Sequence, residues 1–335
     1  MANTARAFER IKQDISEHLP DAAIAAACEA AGHRWRKRKL GPIETVQLFM
    51  LQTLWFNTAI VHLRRLAGFP FVAAAYCKAR MRLPLAVLQQ LLLDSSVSMR
   101  AVTAGGEAGA PVGLWHGLRA ILVDGSSTIT PDTPELDKAF GHPKGQKPGC
   151  GFPVPKTLGL FDAFTGMIVQ MLTFPLYTHE QSKVWQLHPH LKAGDLMVGD
   201  RGFCSFIHLA MLQARKVMAC FRLHQRQIVD FHVHRKSRDQ HLSADKAGKP
   251  NSRFRRRLGH HDHVVLWKRP DKAPQWMTDE QWASIPESME VRELRYTIAA
   301  NGQRTRVITI ATTLLDPVLY PKEAVAELYG VRWQV

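Results

Sequence analysis

The chain has 335 residues, 46% of them hydrophobic and 22% charged, which is typical of a globular protein with one large core or two smaller ones. Its 44 lysines and arginines exceed its 29 aspartates and glutamates and give a formal net charge of +15. This positive field favours a polyanion, and nucleic acid is the first candidate, although a basic surface that only maintains solubility has the same composition.

Several classes of protein are excluded by the distribution of polar residues. The longest apolar run, 46–61, is interrupted by Gln47, Gln52 and Asn57 and is too polar for a membrane span. The N-terminal residues carry charges throughout and contain no signal-peptide core. The five cysteines are scattered and form no Cys-x-x-Cys pair, which is typical of reduced thiols in a cytosolic protein. We therefore expect a cytoplasmic protein without a membrane partner.

Residues 1–110 are predicted to form a helical, DNA-binding N-terminal domain. Capping and proline signals predict helices at 22–31, 42–66 and 85–93. The glycines within 101–113 predict a flexible linker and a domain boundary.

A basic segment lies between the first two predicted helices and surrounds Trp35. Its five cations suit a phosphate backbone, and a solvated loop between helices explains them equally well. The basic segment consists of Arg34, Arg36, Lys37, Arg38 and Lys39.

In residues 111–335, predicted strands and helices alternate along the chain in the order expected of an α/β core with a mixed sheet. Strands are predicted at 120–123, 156–161, 167–174, 195–199 and 217–221. The second and third of these form a hairpin. Helices are predicted at 179–190 and 205–213, and a loop at 131–155. This order of elements is typical of an α/β fold.

A β-rich insertion is predicted at about 223–303. Short alternating runs at 228–234, 264–267, 291–300 and 304–312 are separated by polar stretches, one of which holds Arg253–Arg257. We expect the last strands to return to the core sheet. The histidines at 232, 234, 260, 261 and 263 make a zinc pair conceivable, but a solvated surface is the simpler explanation, because no cysteine or acid completes the ligand set.

Asp124 and Asp200 each follow a predicted buried strand directly. Strand ends collect site residues, because side chains leave the core there and stay rigidly held. Two carboxylates at one edge repel each other unless a hard cation neutralises them, and Mg²⁺ prefers such oxygen ligands. Strand-end aspartates are also common as simple caps, so spacing alone leaves a metal site and a structural role open.

Three motifs occur in a fixed order: Asp124-Gly-Ser, Gly199-Asp200-Arg-Gly-Phe203 and Leu328-Tyr329-x-x-Arg332-Trp333. Together they resemble the DDE transposases of bacterial insertion sequences. More narrowly, they resemble the group with the signature Tyr-x-x-Arg-x-x-x-Glu-x6-Lys. The resemblance extends from about Asp124 to Val335.

The resemblance implies an RNase H-like catalytic core, a β-rich insertion, and a site for two divalent metals, Mg²⁺ or Mn²⁺. It implies that Asp124 and Asp200 are the catalytic, metal-binding acids and that Tyr329 and Arg332 contact phosphates near the transposon end. The third acid and a lysine would stand at positions 336 and 343. We therefore expect a transposase that is truncated just before its catalytic glutamate.

The function implied is metal-dependent cleavage and joining of DNA strands at insertion-sequence ends. The implied partners are double-stranded DNA, as transposon end and as target, and a second copy of the chain in a synaptic homodimer at the bacterial nucleoid. Two other functions stay open. One is a catalytically inactive DNA-binding fragment that inhibits full-length transposase. The other is a general RNase H-like nuclease.

Overall fold

The computed structural model describes residues 19–36, 38–104, 113–145, 151–232, 234, 252–298 and 306–332. The chain divides into two compact units, Met1–Glu107 and Ala108–Val335. Within the described ranges, no helix has both the length and the apolar character needed to cross a membrane.

The first unit is helical. Its helices are α1 (Asp21–Ala30), α2 (Pro42–Leu54), α3 (Ile60–Leu66), α4 (Ala73–Arg82) and α5 (Leu85–Ala104). Two apolar clusters hold them together. Ile24 and Cys28 of α1 pack with Val87 of α5 in one cluster, and Leu63 of α3 packs with Tyr76 of α4 in the other.

Two predictions for this unit are wrong. The predicted helix 42–66 is broken at 55–59, where Phe56 and Asn57 have left-handed backbone angles (φ 52° and 55°). Asparagine tolerates this region better than most residues. The predicted helix end at residue 93 is also wrong, because the hydroxyls of Ser95 and Ser96 donate to carbonyls three residues earlier and α5 continues. Helix α5 therefore occupies the start of the predicted linker, and residues 105–112 lie outside the described ranges.

The second unit is built on one nine-stranded mixed sheet with the order β3-β2-β1-β4-β5-β9-β8-β7-β6. Strands β1, β4 and β5 are parallel, and the other pairings are antiparallel. The predicted α/β class and mixed sheet are confirmed, and the first five strands have the order expected of an RNase H-like core. The strands are β1 (Arg119–Ser127), β2 (Lys156–Asp162), β3 (Ile168–Phe174), β4 (Asp195–Gly199), β5 (Met218–Arg222), β6 (Ser252–Gly259), β7 (Asp262–Lys268), β8 (Ser288–Ile298) and β9 (Arg306–Thr312).

The helices of this unit correct two further predictions. The segment predicted as a loop contains α6 (Pro134–Phe140), which begins with a proline and is capped by the Thr133 hydroxyl. The segment 179–190 forms two short 3₁₀ turns instead of a helix, and Pro189 in the second turn has no N–H to donate. The remaining helices are α7 (Phe206–Ala214), α8 (Asp279–Ser284) and α9 (Lys322–Val331).

The predicted β-rich insertion continues the core sheet. Strand β9 pairs with β5 on one side and β8 on the other, so β8, β7 and β6 extend the same sheet. The arginine-rich residues 253–257 lie in the edge strand β6 and not between strands. Residues 228–232 form no strand, while 233 and 235–251 lie outside the described ranges.

Helix α9 packs on one face of the sheet. Its Val325, Leu328 and Tyr329 are buried in a cluster that includes Leu122 of β1 and Val198 of β4. This packing places the last helix over β1 and β4, the strands that carry or precede the two predicted acids.

Candidate functional site

The parallel pairing of β1, β4 and β5 stops at one level of the sheet. The predicted end of the first strand at residue 123 is wrong, because β1 continues to Ser127 and its residues from Asp124 onward remain paired with β2. In the sheet register, Val123 of β1 pairs with Gly199 of β4, and Gly199 pairs with Phe221 of β5. The next residue along each strand is charged: Asp124, Asp200 and Arg222. The fold therefore brings two acids that are distant in sequence to neighbouring positions on one edge, with an arginine beside them.

Gly199 shows which face these charged residues share. A Cβ on Gly199 would lie 2.6 Å from Val123 Cγ1 and 2.9 Å from Phe221 Cε1, so these side chains occupy the same face of the sheet. Successive residues of a strand point to opposite faces. Asp124 and Arg222, which follow Val123 and Phe221 within their strands, therefore point to the other face, where Leu122 and Val198 pack against α9. Asp200 follows the last residue of β4 at the same level.

Both predicted acids keep oxygens available for a ligand. Asp124 Oδ1 accepts a hydrogen bond from the backbone N–H of Gly125 at 2.9 Å, and Asp200 Oδ1 accepts one from Gly202 at 2.7 Å. Neither carboxylate forms an ion pair within the part of the chain that the structure describes. Asp124 is exposed and Asp200 is half-buried. Such carboxylates are suited to a hard divalent cation.

The described residues supply two candidate metal ligands at this edge. In those ranges, no three His, Cys, Asp or Glu side chains lie close enough together to hold a metal ion. Another acid, Glu180, lies against Gly125, with its Cδ 3.0 Å from where a Cβ of Gly125 would be. Because Gly125 follows Asp124 in the strand, Glu180 lies on the opposite face. The chemistry of Asp124 and Asp200 fits a divalent cation that takes further ligands from elsewhere.

Helix α9 adds a polar cluster to the same side of the sheet. Tyr329 is fully buried, and its hydroxyl accepts a hydrogen bond from Arg332 Nη1 at 2.9 Å. Burial raises the pKa of Tyr329, and the nearby Arg332 and Arg222 oppose that rise. Burial also raises the pKa of Tyr296 in β8, where Arg222 again opposes the rise. We call Arg222, Tyr296, Tyr329 and Arg332 the arginine–tyrosine cluster.

One donor of the arginine–tyrosine cluster is without a protein partner. The Tyr296 hydroxyl is buried and makes no hydrogen bond with any described residue. A buried hydroxyl left in this way carries a desolvation cost that an oxygen-rich ligand can relieve. The cluster therefore combines two guanidinium groups, which suit a phosphate, with a buried hydroxyl that has no partner among the described residues.

The basic segment lies in the first unit. Arg34, Arg36, Arg38 and Lys39 are exposed and form no ion pair with the described residues, and Lys37 lies outside those ranges. Trp35 is 39% exposed and stacks on His33 at 5.9 Å between ring centroids. The four described cations are thus available to a polyanion.

The histidines of the predicted insertion have different environments. His263 is buried and lies 2.9 Å from Glu293 Oε2, which gives it a structural partner. The rings of His260 and His261 lie against each other at a tilt of 31°, with their centroids 3.9 Å apart, at the turn between β6 and β7. We assign them no role in the candidate site.

Arg222 is the site residue that the sequence reasoning missed. It follows the buried run 219–221 as the two acids follow theirs, so the same strand-end pattern was present. A single cation in a chain with 44 of them carries little weight until the strand register is known.

Comparison with known proteins gives the family. Residues 115–335 match the family model described as Transposase DDE domain. The transposase InsG for insertion sequence element IS4 of Escherichia coli (strain K12) is 22% identical over 267 residues, which cover 79% of this chain and 52% of that protein. The chain spans about half the length of that relative.

A solved structure gives a weaker likeness. The cryo-EM structure of a piggyBac transposase synaptic complex with hairpin DNA matches 64% of this chain and 39% of its own, with 9% identity and a TM-score of 0.29. The family model, in contrast, covers well over half of the chain and includes both strand-end acids and α9. The chain therefore belongs to the Transposase DDE domain family.

Proposed function

We propose that this chain carries the catalytic core of an insertion-sequence transposase, which cuts and joins DNA strands by metal-dependent phosphoryl transfer. The observation that carries the proposal is the adjacency of Asp124 and Asp200, which directly follow the last paired residues, Val123 and Gly199, of two neighbouring parallel strands. Site residues at strand ends leave the core yet stay rigidly held, as phosphoryl transfer requires.

Asp124 and Asp200 would hold the divalent metal, Mg²⁺ or Mn²⁺, through the carboxylate oxygens that the protein leaves available. The resemblance to the family assigns a third acid to position 336. When bound, such metals activate the attacking oxygen and stabilise the leaving oxygen of the phosphate. The hydrogen bonds from Gly125 and Gly202 fix one oxygen of each carboxylate and so orient the other.

The arginine–tyrosine cluster would bind a phosphate of the DNA strand. Arg222 comes next to Asp200 in the strand register, and Arg332 reaches the same region from α9. Because Tyr329 is fully buried, we assign it the task of orienting Arg332 through their 2.9 Å hydrogen bond. Planar guanidinium groups held in this way offer paired donors to phosphate oxygens.

The first unit would supply affinity for double-stranded DNA through the basic segment, both at the transposon end and at the target. A synaptic complex would contain two copies of the chain. The exposure of four cations of the segment supports this role. Such contacts are independent of base sequence and sensitive to salt.

Cleavage is tested by nicking of a labelled transposon-end duplex with Mg²⁺ or Mn²⁺. The chain is extended so that glutamate stands at position 336 and lysine at 343, and it is compared with the 335-residue chain. We expect nicking by the extended chain only, and its loss in Asp124→Asn and Asp200→Asn. The exposed Asp271 supplies a matched control, Asp271→Asn, which should retain activity. Nicking that survives Asp200→Asn would contradict the proposed site.

DNA binding is tested by the salt dependence of affinity. Each neutralised phosphate contributes about 0.9 to the slope of log affinity against log salt. Changing the whole basic segment to alanine should therefore flatten that slope by roughly 4.5 if all five cations contact phosphates. A control removes four exposed lysines of the second unit, Lys138, Lys192, Lys268 and Lys272. Equal flattening in both variants would assign binding to net charge and not to the segment.

A further inference from the structure

Arg292 of β8 is fully buried and uses both ends of its guanidinium. Its Nε and Nη2 donate to the two carboxylate oxygens of Asp262 in β7, at 2.8 and 2.5 Å. Its Nη1 donates to the carbonyls of Leu314 and Tyr320, at 3.3 and 2.7 Å. The ion pair within the predicted insertion thus holds two carbonyls of the loop that leads from β9 to α9.

A second cation connects the predicted insertion to the start of α9. Lys322, the first residue of α9, donates through Nζ to the carbonyl of His260, at 2.8 Å, in the turn between β6 and β7. Tyr320 is only two residues before it. The hairpins β6–β7 and β7–β8 therefore hold the start of α9 at two points.

The far end of α9 carries Tyr329 and Arg332. Ten helical residues span about 15 Å at about 1.5 Å per residue. A tilt of about 10° at the start of such a helix would move its other end by roughly 2–3 Å. A shift of this size separates Arg332 from a phosphate beside Asp200, because an arginine–phosphate contact is lost within about 1 Å.

We propose that Arg292 and Lys322 are positioning residues for the transposition reaction. They transmit the placement of the β6–β8 hairpins to α9 and hold its last turn against the strand ends of Asp124 and Asp200. The inference rests on the proposed function, and it assigns the insertion a task that does not require contact with DNA.

The competing explanation is that the Asp262–Arg292 ion pair only stabilises the fold. The variants below are chosen to distinguish this structural role from positioning of α9. Removing only one partner would leave an uncompensated buried charge and strongly destabilise the unit. The double variant Asp262→Leu/Arg292→Met removes both charges and keeps an apolar core, but it supplies no donor to the two carbonyls. Lys322→Met keeps the side-chain stem and removes the donor, and Lys322→Arg restores one.

The first measurement is hydrogen exchange, which does not depend on activity. We expect several-fold faster exchange of the α9 amides in Lys322→Met and in the double variant. Strand β4 should exchange at its original rate, and the thermal unfolding midpoint of Lys322→Met should be unchanged. The matched control is Lys272→Met, an exposed lysine remote in sequence from α9. Unchanged exchange in α9 would overturn the proposal.

The second measurement is nicking by the chain extended through position 343, at saturating end DNA. We expect the nicking rate of Lys322→Met to fall on the order of 100-fold, the effect of a misplacement of about 1 Å, with DNA affinity unchanged and the rate recovered in Lys322→Arg. A rate that stays at the parent level would overturn the proposal. If the parent chain itself fails to nick, the proposed function fails, whereas the exchange result still decides whether the hairpins position α9.

Discussion

Replacing Gly199 by alanine should destabilise the second unit and disturb both strand-end acids. The added Cβ would lie 2.6 Å from Val123 Cγ1, 2.9 Å from Phe221 Cε1 and 3.0 Å from Phe221 Cδ1. Both neighbours belong to strands that are hydrogen-bonded to β4, so neither can retreat without distorting the sheet. Forcing a methyl group into such a core costs about 1–3 kcal/mol.

This loss of stability can be measured as a fall in the melting temperature. For a domain of this size, each kcal/mol lowers the midpoint by roughly 2–4 °C, so Gly199→Ala should lower it by roughly 2–12 °C in a calorimetric scan. The same distortion moves Asp200, which follows Gly199 directly, and should reduce nicking by the extended chain.

A double-mutant cycle tests the cause. Val123→Ala removes the atom nearest to the new methyl group, so the double variant should be more stable than the sum of the two single effects predicts, by about 0.5–3 kcal/mol. Effects that add without coupling would show that the two side chains do not compete for this space. An unchanged midpoint for Gly199→Ala would refute the reasoning altogether.

Two further outcomes are expected. Burial lowers the pKa of His188 to about 2 and that of His208 to about 4, well below the value of 6.5 in an unfolded chain. The unfolded chain therefore binds more protons below about pH 6.5, so the free energy of unfolding measured in urea should fall as the pH drops from 6.5 towards 4, by about 1.4 kcal/mol per pH unit for each histidine. A His188→Leu/His208→Leu variant that kept the full slope would contradict this origin. Gly330→Ala should raise the melting temperature, because the new Cβ has no atom within 4 Å apart from its chain neighbours and the backbone of α9, and alanine favours α9 by about 0.5–1 kcal/mol. A lower melting temperature would show that Gly330 is needed for packing.

Local helix signals were reliable only where the helix depended on local interactions. The start of α2 at Pro42 followed from the proline rule, since proline fits the first turn of a helix. Local signals did not predict the break near Phe56, where two residues have left-handed backbone angles. They also did not predict that α5 continues through Ser95 and Ser96, because a serine hydroxyl can either end a helix or donate to a carbonyl one turn earlier within it. Tertiary packing decides which partner each hydroxyl takes.

The sequence by itself placed both acids directly after buried apolar runs. Asp200 does follow the end of β4, whereas β1 continues past Asp124 to Ser127. Buried strands read as short apolar runs, and the first polar residue after such a run marks the place where the chain leaves the core. Asp124 and Asp200 could be identified in this way, as could the α/β class. That the two acids act together in one metal site was inferred from the family resemblance and not from their spacing.

Only the tertiary structure decided which strands are neighbours. Pairing of β1 with β4 and of β4 with β5 joins residues far apart in sequence, and apolar patterns do not encode which strand lies beside which. That pairing added Arg222 to the site. The pairing of β5 with β9 likewise extends the core sheet to the arginine-rich edge strand β6. It also brings Arg292 within hydrogen-bond distance of the Tyr320 carbonyl, just before α9. These contacts depend on register, which a chain acquires only when its distant segments pack.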